Sequence, residues 1–197
     1  ICFNFITKGS IIVNCIDSMI SFNDNKSFLD EINILKKLDH PNIMKLYETY
    51  MDEKNFYLVS DLCDQGDLLG KMKKLGRMNQ IVVKVLMDQI FNAVAYLHLK
   101  HVLHGDIKLE NILLYTSTQN KGKRFTLINQ DINSNFGLQQ EINRTSSKRS
   151  RNYVNDMLNY EVKLIDFGCS KYFVKKDRHR KLSGIIGTSI YCSPEVI

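Results

Sequence analysis

At 197 residues and 44% hydrophobic side chains, the chain is long enough to bury one substantial core in one or two domains. Its five cysteines, at positions 2, 15, 63, 169 and 192, are odd in number and contain no C-x-x-C pair, which argues against a disulfide framework or a zinc site and fits a reducing, cytoplasmic setting. The formal charge of +6 is uneven: residues 116–160 carry seven Lys/Arg against three Asp/Glu and residues 169–184 carry six against one, so the excess reads as two solvated loops and no nucleic-acid partner is expected.

The chain starts at Ile1 and stops just after Ser193-Pro194-Glu195, so both ends read as cut. Its most apolar opening segment, Ile1 to Ile20, is interrupted by Lys8 and Asp17 and lacks a basic start, so neither a signal peptide nor a membrane span is expected. Ser10 to Ile16 is rich in β-branched residues and predicts a strand. Ser27-Phe28-Leu29-Asp30 has the spacing of a capping box, and Phe28, Ile32, Leu35 and Leu38 follow at helical spacing. This predicts a helix ending near Asp39, because His40 precedes Pro41. Lys45 to Met51 and Asn55 to Val59 read as two strands joined by the turn Asp52-Glu53-Lys54. From Asn79 to Lys100, the residues Val82, Val85, Leu86, Ile90, Val94 and Leu97 recur at helical spacing and predict a long buried helix.

That helix leads into His104-Gly105-Asp106-Ile107-Lys108-Leu109-Glu110-Asn111, a loop before the apolar run Ile112 to Tyr115. An acid, a lysine and an amide within six positions suit phosphoryl transfer, which needs positioning and charge stabilisation more than covalent help. Asp106 can accept a hydroxyl proton, Lys108 can sit against the transferring phosphate as a point charge, and Asn111 can offer its carbonyl oxygen to Mg²⁺. Residues 116–160 contain eight Asn, no Pro and no clear periodicity, and read as a disordered insertion. Within them, Asp131 to Asn135 begins like a calcium loop, but Phe136 stands where Gly is needed and Ile142 where Glu is needed. Thr145, Ser146, Ser147 and Ser150 are weak candidates for phosphorylation, as is Ser183. Val162-Lys163-Leu164-Ile165 reads as a short buried strand running into Asp166-Phe167-Gly168.

The catalytic-loop stretch, Asp166-Phe167-Gly168 and Ser193-Pro194-Glu195, in this order, resemble the signature set of the protein kinase family. The resemblance implies an α+β, protein kinase-like two-lobed fold truncated at both ends, with no glycine-rich loop and most of the large lobe missing. Residues 1–59 would be a partial small lobe, 60–66 the hinge, and 67–197 a partial large lobe with a low-complexity insertion at about 116–160.

It further implies ATP and Mg²⁺ as cofactors and a protein substrate. Asp106, Lys108, Asn111, Asp166 and Thr188 would be the catalytic residues, Asn111 and Asp166 also holding the metal. Glu31 takes the place of the helix glutamate that pairs with a strand lysine on the ATP phosphates. Asp61 and Cys63 would offer backbone groups to adenine, and Asp67 would reach the ribose hydroxyls. Ser60 takes the gatekeeper position behind the adenine, and Glu110 and Leu113 are carried over with the nucleotide-contacting set. Leu35, Leu46, His104 and Phe167 would stack as an apolar column, and Gly187-Thr188 resembles the substrate-binding turn.

Lys108 favours serine/threonine specificity. The wording of Leu38 to Glu48, Phe56 to Val59 and Gly187 to Ile197 looks like the calcium-dependent and calmodulin-dependent kinase group. The resemblance covers about residues 10–115 and 161–197, so calcium or calmodulin regulation is expected only through regions outside this chain.

Three departures stand against it. Asn14 falls where the strand lysine belongs, with Lys8 as a possible substitute; no G-x-G-x-x-G precedes that strand; and Gly105 replaces the arginine that receives an activation-loop phosphate. Two functions follow: an ATP-dependent serine/threonine kinase, poorly active as an isolated chain, or a pseudokinase or scaffold without catalysis.

Overall fold

Four antiparallel strands and one helix form the first layer of the structure, a computed structural model that describes residues 3–6, 11–17, 22–53, 55–116, 156–173 and 187–193, with side chains from residue 28 onward. The strands are β1 (Phe3–Ile6), β2 (Ile11–Asp17), β3 (Leu46–Met51) and β4 (Asn55–Asp61), in the sheet order β1-β2-β4-β3. In the β2–β4 register Ile12 faces Ser60 and Asn14 faces Leu58. The helix α1 (Phe22–Leu35) packs on this sheet through an edge-to-face contact of Phe28 with Phe56, ring centroids 5.2 Å apart.

The helix differs from the sequence reading at both ends. It begins at Phe22, so Ser27 lies inside it rather than at a capping box; residues 22–26 contain neither Pro nor Gly, and nothing stops the helix from propagating back past Ser27. It ends at Leu35 because the backbone tightens there, with Lys37 N–H donating to Ile34 O at 3.0 Å and Leu38 N–H to Leu35 O at 3.1 Å.

The chain then enters a mostly helical layer. Here α2 (Leu68–Leu75) starts at Asp67, whose Oδ1 accepts from Gly70 N–H at 2.7 Å. Next, α3 (Gln80–Leu99) starts at Asn79, whose Oδ1 accepts from Ile81 N–H at 2.8 Å. Its buried stripe is Ile81, Val82, Leu86, Gln89, Ile90, Ala93 and Leu97. This helix has the length and apolar content of a membrane span, yet it packs on β5 (Val102–Leu103) and β7 (Tyr160–Leu164) in the manner of a core helix. Two small antiparallel ladders complete the layer: β6 (Ile112–Thr116) with β7, and β5 with β8 (Lys171–Tyr172).

The packed residues resume before Val162: Met157 and Leu158 are each 1% exposed, and Tyr160 already belongs to β7. The calcium-loop pattern at 131–142, the candidate phosphorylation sites and Lys8 lie outside the described residues.

A buried polar knot joins the two layers at Asn42. Its Nδ2 donates to Gln89 Oε1 at 3.0 Å and to Val162 O at 3.1 Å, while the same Gln89 oxygen accepts from Val162 N–H at 3.0 Å. Gln89→Leu would strand the Val162 N–H in a dry core, which costs about 1–3 kcal/mol. Urea unfolding of this variant is expected to show that loss as a lower midpoint; an unchanged midpoint would contradict the assignment.

Candidate functional site

The loop between β5 and β6 is shaped by two glycines. Gly105 sits at φ 85°, a left-handed conformation that glycine adopts without a Cβ penalty. Gly187, at φ 97°, approaches it so closely that a Cβ there would lie 2.5 Å from Gly105 O. This backbone-to-backbone approach brings Thr188 onto the loop that carries Asp106.

Asp106, 7% exposed, becomes the hub of that contact. Its Oδ1 accepts from Thr188 N–H at 2.9 Å and from Thr188 Oγ1 at 2.7 Å. Its Oδ2 accepts from Lys108 Nζ at 2.6 Å and from Asn111 Nδ2 at 3.1 Å. Lys108 Nζ also donates to Thr188 Oγ1 at 2.8 Å, closing a ring of three side chains. Burial pushes the Asp106 carboxyl up, but the hydrogen bonds from Lys108 and Thr188 and the Lys108 charge outweigh it and hold it below the usual carboxylate range. The bond to Asp106 raises Lys108 in turn. The result is an ionised acceptor beside a fixed cation at neutral pH.

Asn111 spends its amide nitrogen on Asp106, donating to the backbone oxygen at 2.9 Å as well as to Oδ2, so its carbonyl oxygen is the atom left for a cation. Its backbone oxygen accepts from Ile165 N–H at 3.0 Å and thereby sets the start of the Asp166 segment. Asp166 itself is exposed and sits at φ 65°, in the left-handed region, and its Oδ1 accepts from Gly168 N–H at 3.3 Å. Among the described residues no three His, Cys, Asp or Glu side chains converge on a metal. An Asn oxygen with one carboxylate suits Mg²⁺, which takes few protein ligands and completes its shell with nucleotide phosphates and water.

His104 anchors the loop from below. Its Nδ1 accepts from Asp106 N–H at 3.3 Å, so the proton sits on Nε2, which donates to Ile165 O at 3.0 Å. Its ring stacks on Phe167 with centroids 4.8 Å apart; Leu35 and Leu46, the other members of the expected column, are buried in the core cluster that contains Phe167. Burial holds the imidazole below its ordinary value of 6.5. Below about pH 6.5 the unfolded chain therefore takes up a proton that the folded one refuses, and stability falls as the pH drops. The urea midpoint is expected to decrease from pH 7.5 to pH 5.5, less steeply in His104→Phe; His40, shifted down by burial too, retains part of the slope. An equal slope in the variant would remove His104 from the account.

Glu31 reaches the site from α1, its Oε1 accepting from Phe167 N–H at 3.2 Å. Burial raises its carboxyl, the Phe167 N–H opposes that, and Asp166 adds repulsion. Position 14 lies on the register row opposite Leu58, two residues along from the row joining Ile12 to Ser60.

The remaining predicted residues line the connection from β4 to β6. Ser60 is 3% exposed and its hydroxyl has no hydrogen-bond partner. The Asp61 carboxylate is used structurally: Oδ2 accepts from Lys45 N–H at 3.0 Å and Oδ1 from Tyr47 OH at 2.8 Å, which leaves only backbone groups for a nucleotide. Burial pushes the Cys63 thiol up to about 12, so it stays protonated at neutral pH. Asp67 bridges to Leu113 through the backbone, while its carboxylate caps α2, so one of its oxygens is already engaged. Glu110 stands apart from these, accepting from Tyr191 OH at 3.1 Å.

Two residues that the sequence reading passed over are central. Gln89 shows itself only as a polar side chain at an apolar helical position, and Lys163 only as a lysine inside the apolar run from Val162 to Ile165.

Comparison with known proteins matches residues 11–197 to the protein kinase domain. The chain is 34% identical over 170 residues to calcium-dependent protein kinase 3 of Plasmodium yoelii yoelii, covering 86% of this chain and 24% of that protein. It is 32% identical over 167 residues to calcium-dependent protein kinase 5 of Plasmodium falciparum (85% of this chain, 22% of that protein). Against calcium-dependent protein kinase 4 of the same species it is 33% identical over 174 residues (88% and 25%). The chain thus spans about a quarter of the length of these relatives.

Proposed function

This chain belongs to the protein kinase domain family, with calcium-dependent protein kinases among its relatives, and on that premise we propose that it transfers the γ-phosphate of Mg-ATP to serine or threonine hydroxyls of protein substrates. The observation that supports this most strongly is the closed ring of Asp106, Lys108 and Thr188 with Asn111 on the same carboxylate.

The Asp106 side-chain hydrogen bonds from Thr188, Lys108 and Asn111 converge on one ionised carboxylate, so an incoming hydroxyl takes the place of a donor, accepts the orientation that Thr188 Oγ1 now has, and passes its proton to Asp106 as its oxygen bonds to the γ-phosphorus and ADP leaves. Lys108 stays beside the attacking oxygen and balances charge there. The Asn111 oxygen and Asp166 would hold Mg²⁺, whose charge would offset that of the phosphates. Backbone groups of Asp61 and Cys63 would take the adenine edge, with Ser60 behind it and Leu113 and Asp67 at the sugar end. Glu110 belongs at the substrate mouth, since its carboxylate already meets Tyr191 of the segment that follows Thr188.

Gly105 offers no guanidinium to a phosphorylated activation segment, so this kinase would assemble its site without that latch. A cytoplasmic location is part of the same reading, which rests on an odd number of cysteines without a C-x-x-C pair in the sequence. Calcium or calmodulin control would act only through regions outside this chain. A second reading, a nucleotide-free scaffold, is favoured by one observation, the uncharged residue at position 14.

Phosphoamino-acid analysis of acceptor proteins incubated with the protein and Mg-ATP tests the proposal. Phosphoserine and phosphothreonine are expected, formed slowly by the isolated chain; phosphotyrosine alone, or no transfer, would overturn it.

A further inference from the structure

Lys163 is the one buried lysine of the described core, 8% exposed in the middle of β7. A lysine withdrawn from water this far needs a carboxylate and further acceptors. It has them: Nζ lies 2.7 Å from Asp61 Oδ2 and 3.3 Å from Ile43 O, and sits 5.5 Å from the centroid of the Tyr115 ring.

These partners belong to separate segments. Asp61 is the last residue of β4, where the chain turns toward the helical layer. Ile43 lies in the loop after α1 and bridges to Leu164, with Met44 N–H donating to Leu164 O at 3.0 Å and Leu164 N–H to Asn42 O at 2.9 Å. Opposite Lys163 on β6 is Leu113, which bridges to Asp67. Three residues beyond Lys163 comes Asp166.

We propose that Lys163 is a positioning residue whose ion pair with Asp61 fixes the backbone at the end of β4 to the strand that presents Asp166, so that the adenine end and the metal end of one nucleotide site are held at a set separation. The nucleotide part rests on the kinase reading above; the mechanical coupling does not. Direct contact of either side chain with a nucleotide is not required. Tyr47 OH and Lys45 N–H still satisfy Asp61 if Lys163 is removed, so Lys163→Met leaves no charge without donors.

The test compares the whole chain with Lys163→Met and Lys163→Arg by amide hydrogen exchange and by titration with Mg²⁺ and a fluorescent ADP analogue. Lys163→Met is expected to exchange about tenfold faster at residues 58–62 and 163–167, with the α3 core around Ala93 unchanged. Its affinity for the ADP analogue is expected to fall about fivefold, with Lys163→Arg restoring both. Unchanged exchange at those two segments overturns the proposal, as does acceleration spread evenly through α3, which would mark a purely structural role. Localised exchange in a protein whose parent chain binds no nucleotide supports the coupling and instead removes the kinase reading. Should Lys163→Met fail to fold, Asp61→Asn/Lys163→Met, which carries neither charge, is judged by the same criteria.

Discussion

Asp106→Asn is expected to lower the turnover number for phosphate transfer by about a thousandfold while leaving the protein folded. General-base assistance contributes on the order of 10²–10⁴-fold, and an amide cannot take the hydroxyl proton. The loss also disturbs charge, because Lys108 Nζ at 2.6 Å loses its carboxylate and Thr188 loses the ionised partner of both its donors. Thr188→Ala removes only one of those donors, so its effect should be smaller, about tenfold. Steady-state kinetics with saturating Mg-ATP separates the two variants. Equal losses would mean that Asp106 acts as an anchor for Thr188 and not as the proton acceptor. Because its hydrogen bonds hold Asp106 below the usual carboxylate range, it stays ionised through neutral pH, and any activity loss between pH 8 and pH 6 belongs to other groups.

Asn14→Lys is expected to act in the opposite direction, raising kcat/KM for ATP by about tenfold, equivalent to roughly 1.4 kcal/mol of transition-state stabilisation. The reason lies in Glu31. Burial and the neighbouring Asp166 push its carboxyl up, and the Phe167 N–H only partly offsets them. On the kinase reading, a lysine at position 14, in the strand paired with β4, would supply Glu31 and the ATP phosphates with a cation that is not seen among the described residues.

The pH dependence carries the same signature. A carboxyl with a raised folded value contributes stability that is present at low pH and lost as the pH rises through that value, because ionisation is penalised in the folded state. The Asn14→Lys stability gain should therefore be absent well below pH 4.5 and grow toward pH 7. Melting curves across that range check it. If Lys8→Met abolishes activity and Asn14→Lys adds nothing, Lys8 fills the role instead.

The sequence made the site legible because its chemistry is local: Asp106, Lys108 and Asn111 lie within six positions, and loop geometry alone brings them together. The long helix was equally readable, with Asn79 as cap and an apolar repeat over five turns, since both signals are short-range. The start of α1 was misread because Ser-x-x-Asp fits a helix interior as well as a cap. The short helix α2 escaped notice although Leu68, Leu69, Met72 and Leu75 recur at helical spacing beside the Asp67 cap, because eight residues containing Gly70 make a short signal. Gln89 and Lys163 could not be assigned from sequence, since their partners lie 73 and 120 residues away along the chain. Their meaning is tertiary: each is a polar group whose burial becomes tolerable only once a distant segment has packed against it.

The central claim, that this kinase core moves phosphate with Asp106 as the proton acceptor, is tested most directly by single-turnover transfer from labelled Mg-ATP to a serine-containing protein. The account predicts transfer by the unaltered protein that disappears on chelation of Mg²⁺ and falls by about three orders of magnitude in Asp106→Asn. Transfer that persists undiminished in Asp106→Asn, or none by the unaltered protein under conditions where it binds Mg-ATP, would contradict it.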